Sequence, residues 1–238
     1  MDIIKFKSLD STNKYLKKNY KKLNNYQVIY TENQTQGIGR KDNNWYANKD
    51  SLTFSFIIKD NIQPSLISLL PIYMATIIHK VIYNYNKKCL IKWPNDLYIN
   101  DKKIAGLLIE SIYQDKLQAI IVGVGINLNN QLLPNEIKDK ATSLKLETNK
   151  TYQQLKILEK ILKLFKDNIN DFINNPKEII NYYNNYHLLN EKVISYYEEN
   201  NKKIGKCLKI DNNGQLIVES NSKIISLISG EVEKISTN

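Results

Sequence analysis

From Leu90 to Leu128 the chain passes through four strand-like runs, LIKW, LYIN, KIAGLLIES and LQAIIVGVGINL, with only WPND, NDKK and YQDK turns between them. Turns this short cannot carry a crossover helix, so neighbouring runs must lie side by side and antiparallel. Upstream, VIYTENQ around Val28–Thr31 and SLTFSFII from Ser51 add two further strands. Apolar residues recur at helical spacing from Leu66 to about Tyr85, where Pro71 is tolerable in the first turns, from about Tyr152 to Ile173, and from Lys177 to Leu189. Ser11-Thr12-Asn13 ahead of KYLKK reads as the cap of a short helix. The expected fold is therefore α/β in the α+β sense: a mixed, mostly antiparallel sheet flanked by helices.

After Asn190 the texture changes. KVISYY, KIGKCLKI, QLIVES and KIISLIS are short strands, with a DNNG turn at Asp211 to Gly214, the pattern of a small β-barrel or β-sandwich. A boundary is expected there, giving a larger domain over residues 1–190 and a smaller one over 191–238.

At 238 residues the chain can bury such cores without a staple. Cys89 and Cys207 are far apart, so neither a disulfide framework nor a zinc ribbon is indicated. His79 and His187 have no neighbours at metal-ligand spacing, and no transition-metal site is expected. The net charge of +10 would suit a polyanion, but the lysines are scattered from Lys5 to Lys234 among Asn, Ile and Tyr rather than gathered on one face. The N-terminus has no apolar core of signal-peptide length, and LISLLPIYMATII is short and interrupted by Ser68, Pro71 and Thr76. The expectation is a soluble, cytoplasmic protein with no membrane partner.

Within QTQGIGRKDNNW lies Arg40, the only arginine among 34 basic residues. Its planar fork can grip a carboxylate or phosphate in a way lysine cannot. Gly37 and Gly39 let backbone N–H groups come close to an anion beside it. Neither nucleotide signature applies: the P-loop spacing is absent, and the third glycine of a dinucleotide motif would fall at Asp42. Asn95 and Asp96 stand at a strand junction after Pro94, where functional groups are often displayed, although an isolated Asn-Asp pair more often only stabilises a turn. Lys103 opens an otherwise apolar strand, where an inward ammonium needs an anionic partner, while Lys102 should point the other way, into solvent. Gly123 and Gly125 end a very apolar strand and lead to Asn127; taken alone, they suggest close strand packing.

The ordered series DSTN, QTQGIGR followed by Trp45, KWPND, KKIAG and GVGIN closely resembles the biotin protein ligases, from about Ser8 to the C-terminus. The resemblance implies a class II synthetase-like catalytic domain followed by an SH3-like module. It implies that biotin is activated by ATP with Mg²⁺ to biotinyl-5′-AMP, then transferred to a lysine of the biotin carboxyl carrier domain of acetyl-CoA carboxylase or a related enzyme. DSTN begins at Asp10, leaving no room for a winged helix, so the likeness is to the monofunctional group, with no DNA partner, as a monomer or weak homodimer. By resemblance, Ser11, Thr12, Asn13 and Gln34 line the biotin pocket. Gly37, Gly39 and Arg40 belong to the loop closing over biotin and the adenylate; Gly106, Gly123 and Gly125 shape the wall. Lys103 contacts the biotin carboxylate and the α-phosphate, and Trp45, Lys92, Asn95, Asp96 and Asn127 belong to the nucleotide side together with Arg40. Lys103, Arg40 and Asp96 are the catalytic candidates, Asp96 for orienting the attacking amine or accepting its proton. The family loop commonly has a second arginine where this chain has Ile38 and a glycine where it has Asp42, which leaves the anionic charge to Arg40, Lys103 and backbone donors. The rivals are a lipoate ligase or octanoyltransferase on the same fold and, from charge alone, a basic nucleic-acid-binding protein.

Overall fold

The computed structural model describes residues 1–60, 62–199 and 201–235, with Asp42 described by its backbone only. A seven-stranded sheet is built from β1 (Ile3–Phe6), β2 (Val28–Thr31), β3 (Ser51–Ile58), β4 (Leu90–Lys92), β5 (Asp96–Ile99), β6 (Lys102–Tyr113) and β7 (Leu117–Asn127), in the order β1-β2-β3-β7-β6-β5-β4. Only β1 and β2 pair in parallel; the remaining neighbours are antiparallel, as the short turns require. β1 was not anticipated from the sequence, where IIKF is too short to stand out from its lysines.

Among the described residues six helices accompany the sheet: α1 (Thr12–Asn19), α2 (Pro64–Ile67), α3 (Leu70–Tyr83), α4 (Leu144–Thr148), α5 (Gln154–Asn174) and α6 (Lys177–Asn185). The periodic segment expected as one helix from Leu66 to Tyr85 is two. Pro64 and Pro71 each sit in a first turn, where a missing N–H costs nothing, so each starts a new helix. The last helix ends at Asn185 rather than Leu189, because the chain leaves it to pair with β4: Ile91 N donates to Tyr186 O and Leu188 N to Ile91 O. The short α4, capped by Ser143, had no periodicity long enough to be read.

Alternation along the strands sorts their side chains to two faces. Val28, Phe54, Phe56, Ile120, Val122, Val124, Leu107 and Ile109 join α3, α5 and α6 in the main core, where Tyr73, Phe165 and Phe172 cluster. On the other face Ile29, Ile57, Ala119 and Ile121 pack under Leu16 of α1 in a much smaller core.

A second sheet follows, β11-β10-β9-β8-β12, made of β8 (Val193–Glu198), β9 (Asn201–Ile210), β10 (Leu216–Ser220), β11 (Lys223–Leu227) and β12 (Glu233–Lys234), all antiparallel. The chain is thus an α/β protein with a mostly antiparallel sheet flanked by helices and a small C-terminal β unit. The two sheets are joined by packing: Cys207, Leu216 and Val218 belong to the main core, and Trp93 Nε1 donates to the Gly214 carbonyl at 2.9 Å.

Candidate active site

The smaller core stops where α1 begins, and the sheet face beyond it is lined by small and polar residues. Two cross-strand rows form the floor: Ser55–Gly123–Leu108, and Thr53–Gly125–Gly106–Asp96. Three glycines in adjacent register leave a hollow in an otherwise bulky sheet, and a cavity of about 170 Å³ lies over it. Each glycine receives a particular side chain. A Cβ at Gly123 would stand 2.2 Å from Asn13 Oδ1, and one at Gly125 would stand 2.2 Å from the Trp45 ring. At Gly106 it would meet Lys103 Cε at 3.0 Å. The close-packing reading of Gly123 and Gly125 is corrected accordingly: what approaches them is not another strand but cavity side chains.

Above the floor stands a buried polar cluster. Ser11 caps α1, accepting from Lys14 N. Thr12 donates its backbone N–H to Gln34 Oε1 at 2.9 Å, and its hydroxyl lies 2.6 Å from that of Ser55. Ser55 in turn donates to Asn13 Oδ1 at 2.5 Å. Asn13 Nδ2 donates to Glu110 Oε2 at 2.8 Å, and Glu110 is ion-paired with Lys17. Thr53 Oγ1 and Trp45 Nε1 are buried without a partner among the described residues, and both residues line the cavity. A hydroxyl and an indole N–H left unpaired in such a place can serve a bound molecule.

The loop from Gln34 to Trp45 folds back on itself through Gly39 N to Asn43 O and Trp45 N to Gly37 O, with a single 3₁₀ turn at Arg40–Asp42. This carries Arg40 across the cavity, where Nη1 donates to Asn95 Oδ1 at 3.0 Å. Opposite, Lys103 Nζ meets Asp96 Oδ2 at 2.7 Å, the anionic partner its position demanded, and stands 5.8 Å from the Trp45 ring centroid. Parity alone would put Lys103 on the face opposite Gly106. A bulge at Ile104 reverses this: Leu97 pairs with Ala105 but Tyr98 with Lys103, so the ammonium reaches the cavity while Lys102 turns to solvent.

A second cavity of about 1100 Å³ adjoins the first, and the two are both lined by Gln34, Ile38, Asn44, Trp45 and Lys103. Gly37 and Asn127 border the larger cavity, and Asn127 is held by the Thr142 carbonyl. Ser11, Thr12, Asn13, Gly39, Arg40, Gly106, Gly123 and Gly125 gather around the smaller, as do Asn95 and Asp96, which the resemblance had set on the nucleotide side. Lys92 lines neither. It ends the row that runs through Asp96 and Gly106, and burial lowers its pKa, opposed by Asp96 and Glu233. Thr53, Ser55, Leu108 and Glu231 also line the smaller cavity and were missed in the sequence. For Ser51, Thr53 and Ser55 the signal was the alternation in SLTFSFII, whose polar face is buried rather than wet.

Both histidines are buried apart from these cavities. His79 lies between the Cys89 carbonyl and the Tyr182 hydroxyl, with its pKa lowered to about 4 by burial; burial takes His187 to about 3. Among the described residues no group of three His, Cys, Asp or Glu could hold a metal ion, and no helix is long and apolar enough to cross a membrane.

A sequence profile of the Biotin/lipoate A/B protein ligase family matches residues 5–127. The chain is 28% identical over 214 residues to the bifunctional ligase/repressor BirA of Bacillus subtilis, covering 87% of this chain but 65% of that protein's length. It is 33% identical over 129 residues to the chloroplastic biotin--protein ligase 1 of Arabidopsis thaliana, covering 51% of this chain and 35% of the plant protein. Among solved structures, the biotin protein ligase from Aquifex aeolicus in complex with biotin and ATP superposes with a TM-score of 0.89 at 27% identity, covering 98% of this chain and 99% of the other.

Proposed function

The chain belongs to the biotin/lipoate A/B protein ligase family, and we propose that it is a biotin protein ligase, which joins biotin to ATP as biotinyl-5′-AMP and passes the biotinyl group to one lysine of a biotin carboxyl carrier domain. The observation that carries this reading is the position of Lys103, the cation that borders both cavities, beside a wall of hydroxyl and amide groups. Such a wall suits the ureido ring of biotin. The apolar dithiolane of lipoate would leave its polar atoms unpaired, at a cost of about 1–3 kcal/mol each.

In this reading biotin occupies the smaller cavity, with its ring on Ser11, Thr12, Gln34 and Ser55 and its carboxylate toward Lys103. The nucleotide occupies the larger cavity, along Trp45 and Asn127. Lys103 then meets both the attacking carboxylate and the α-phosphate, two anions that repel each other until a fixed cation lies between them. Arg40 adds its fork from the loop, which closes over the mixed anhydride and keeps water away. Asp96 gives up Lys103 to the ligands and is placed to orient the amine of the carrier lysine or take its proton. Magnesium would come with the phosphates of ATP and needs only a carboxylate or two from the protein; Asp96 and Glu231 are the carboxylates lining the smaller cavity. Residues 1–190 would form the catalytic domain and 191–238 an SH3-like appendage whose Glu231 borders the site. The two free, buried cysteines fit a reducing cytoplasm.

The test is incubation with biotin, MgATP and a carrier domain, read by intact mass. Biotin-dependent pyrophosphate exchange should appear without any carrier. Exchange that requires lipoate, or none at all, would overturn the assignment.

A further inference from the structure

We propose that Glu110, which lines neither cavity, is a positioning residue that sets the direction of the Asn13–Ser55–Thr12 hydrogen-bond chain in the biotin-ring wall. The proposal rests on the reading of the smaller cavity as a biotin site. An ionised carboxylate can only accept hydrogen bonds. Asn13 must therefore turn its NH₂ toward Glu110, at 2.8 Å, and its oxygen toward Ser55. Ser55 is obliged to donate to that oxygen, at 2.5 Å. Its own oxygen can then only accept from Thr12, at 2.6 Å. The hydrogen of Thr12 goes to this shorter contact in preference to the Gln34 oxygen at 3.2 Å, and the lone pairs of the hydroxyl, on a residue that lines the cavity, are left to accept.

The neighbours are set independently of Glu110. Backbone N–H of Thr12 can only donate, so the Gln34 oxygen faces it at 2.9 Å and the Gln34 NH₂ lies on the side of Gly37. Ser11 accepts from Lys14 N and keeps its hydrogen free. The wall so directed offers an acceptor at Thr12 and donors at Ser11 and Gln34. A ureido group needs both kinds of partner, donors for its oxygen and an acceptor for an N–H. Were Asn13 to turn over, Ser55 and Thr12 would reverse with it: Thr12 would accept from Ser55 and turn its own hydrogen to the Gln34 oxygen, at 3.2 Å, or into the cavity, with one lone pair fewer for a ureido N–H. Lys17 pairs with Glu110 on the outer side, where the lysine is 45% exposed, so the wall is directed from the protein surface inward.

Removing Glu110 leaves the Asn13 NH₂ only the long contact to the Leu108 carbonyl, at 3.5 Å, which should let both directions coexist. Glu110→Leu should raise the Kd for biotin roughly tenfold, the equivalent of one good hydrogen bond exchanged for a mismatch. The KM for ATP, the kcat of adenylate formation and the thermal midpoint should hold. Glu110→Gln, whose oxygen can still accept, should stay within about threefold of the parent. A swap, Glu110→Lys with Lys17→Glu, keeps an ion pair but presents only donors to Asn13, so it should weaken biotin as much as Glu110→Leu does. If Glu110→Leu does not fold, the swap decides alone. A swapped protein that binds biotin like the parent, or a Glu110→Leu variant within twofold of it, would overturn the proposal. A parent protein that does not bind biotin would instead overturn the functional reading on which it rests.

Discussion

Lys103→Met removes an ammonium while keeping an apolar stem of similar length. In the ligand-free protein that ammonium sits 2.7 Å from Asp96 Oδ2, with the side chains 32% and 22% exposed. At an effective dielectric near 20, two unit charges at this separation attract by about 6 kcal/mol before desolvation and side-chain entropy are subtracted. Partly wet pairs retain about 1 kcal/mol or less. For a chain of this size that corresponds to a fall of about 2–4 °C in thermal midpoint at most. The chemistry should suffer far more. In the proposed reaction the same cation would face a carboxylate and a phosphate in the transition state, and losing one such preorganised charge costs roughly 10²-fold or more, about 3 kcal/mol. Biotin-dependent pyrophosphate exchange measures this directly, with no carrier protein to complicate it. Lys102→Met is the control: its exposed Nζ reaches only the Lys138 carbonyl, at 3.5 Å, and exchange should be unaffected. Exchange within threefold of the parent in Lys103→Met, or equal defects in both variants, would refute the placement of the transferred charges around Lys103.

Arg40→Lys keeps the charge and loses the fork that reaches Asn95, so preformed biotinyl-adenylate should dissociate several-fold faster in a chase with unlabelled biotin, about 1–3 kcal/mol less well held. An unchanged dissociation rate would assign the only arginine another task. Gly123→Ala places a methyl 2.2 Å from Asn13 Oδ1 and must displace that amide, so biotin titrated by calorimetry should bind about 1–3 kcal/mol more weakly, and unaltered affinity would argue against a ring seated on this wall. His79 and His187 titrate near 4 and near 3 in the fold against 6.5 when unfolded. Between pH 6.5 and 4 the unfolded chain therefore binds the extra protons, and stability present above pH 6.5 is lost on acidification by up to about 1.4 kcal/mol per pH unit for each histidine. Urea melts at pH 7 and pH 5 should register the loss, and His79→Gln should remove part of it; a flat profile would mean that neither histidine is held neutral.

The sequence was most legible where local rules govern. Short turns between Leu90 and Leu128 dictate antiparallel neighbours, and Ser11 ahead of a helical run dictates a capped helix, because both depend on residues a few positions apart. The site residues could be named by motif, yet their grouping could not be read from it. Thr53 and Ser55 sit on the polar side of an alternating strand, which by itself looks wet; Ser55 is buried under Thr12 and Asn13 of α1, and Thr53 lies in the row of Gly125, on which the Trp45 ring packs. Lys92 shares a row with Asp96 but falls outside both cavities, since it lies on the edge strand beyond it.

What the chain determines by itself is which elements form and that Lys102 and Lys103 face opposite ways, a consequence of strand geometry alone. Which of the two reaches the site was decided only in three dimensions. The extra residue at Ile104 shifts the register between β5 and β6, and that shift brings Lys103 onto the face of Gly106 and Asp96. A bulge is a compromise between two paired strands and the core beneath them, here burying Ile104 completely, and no single segment contains the information to predict it.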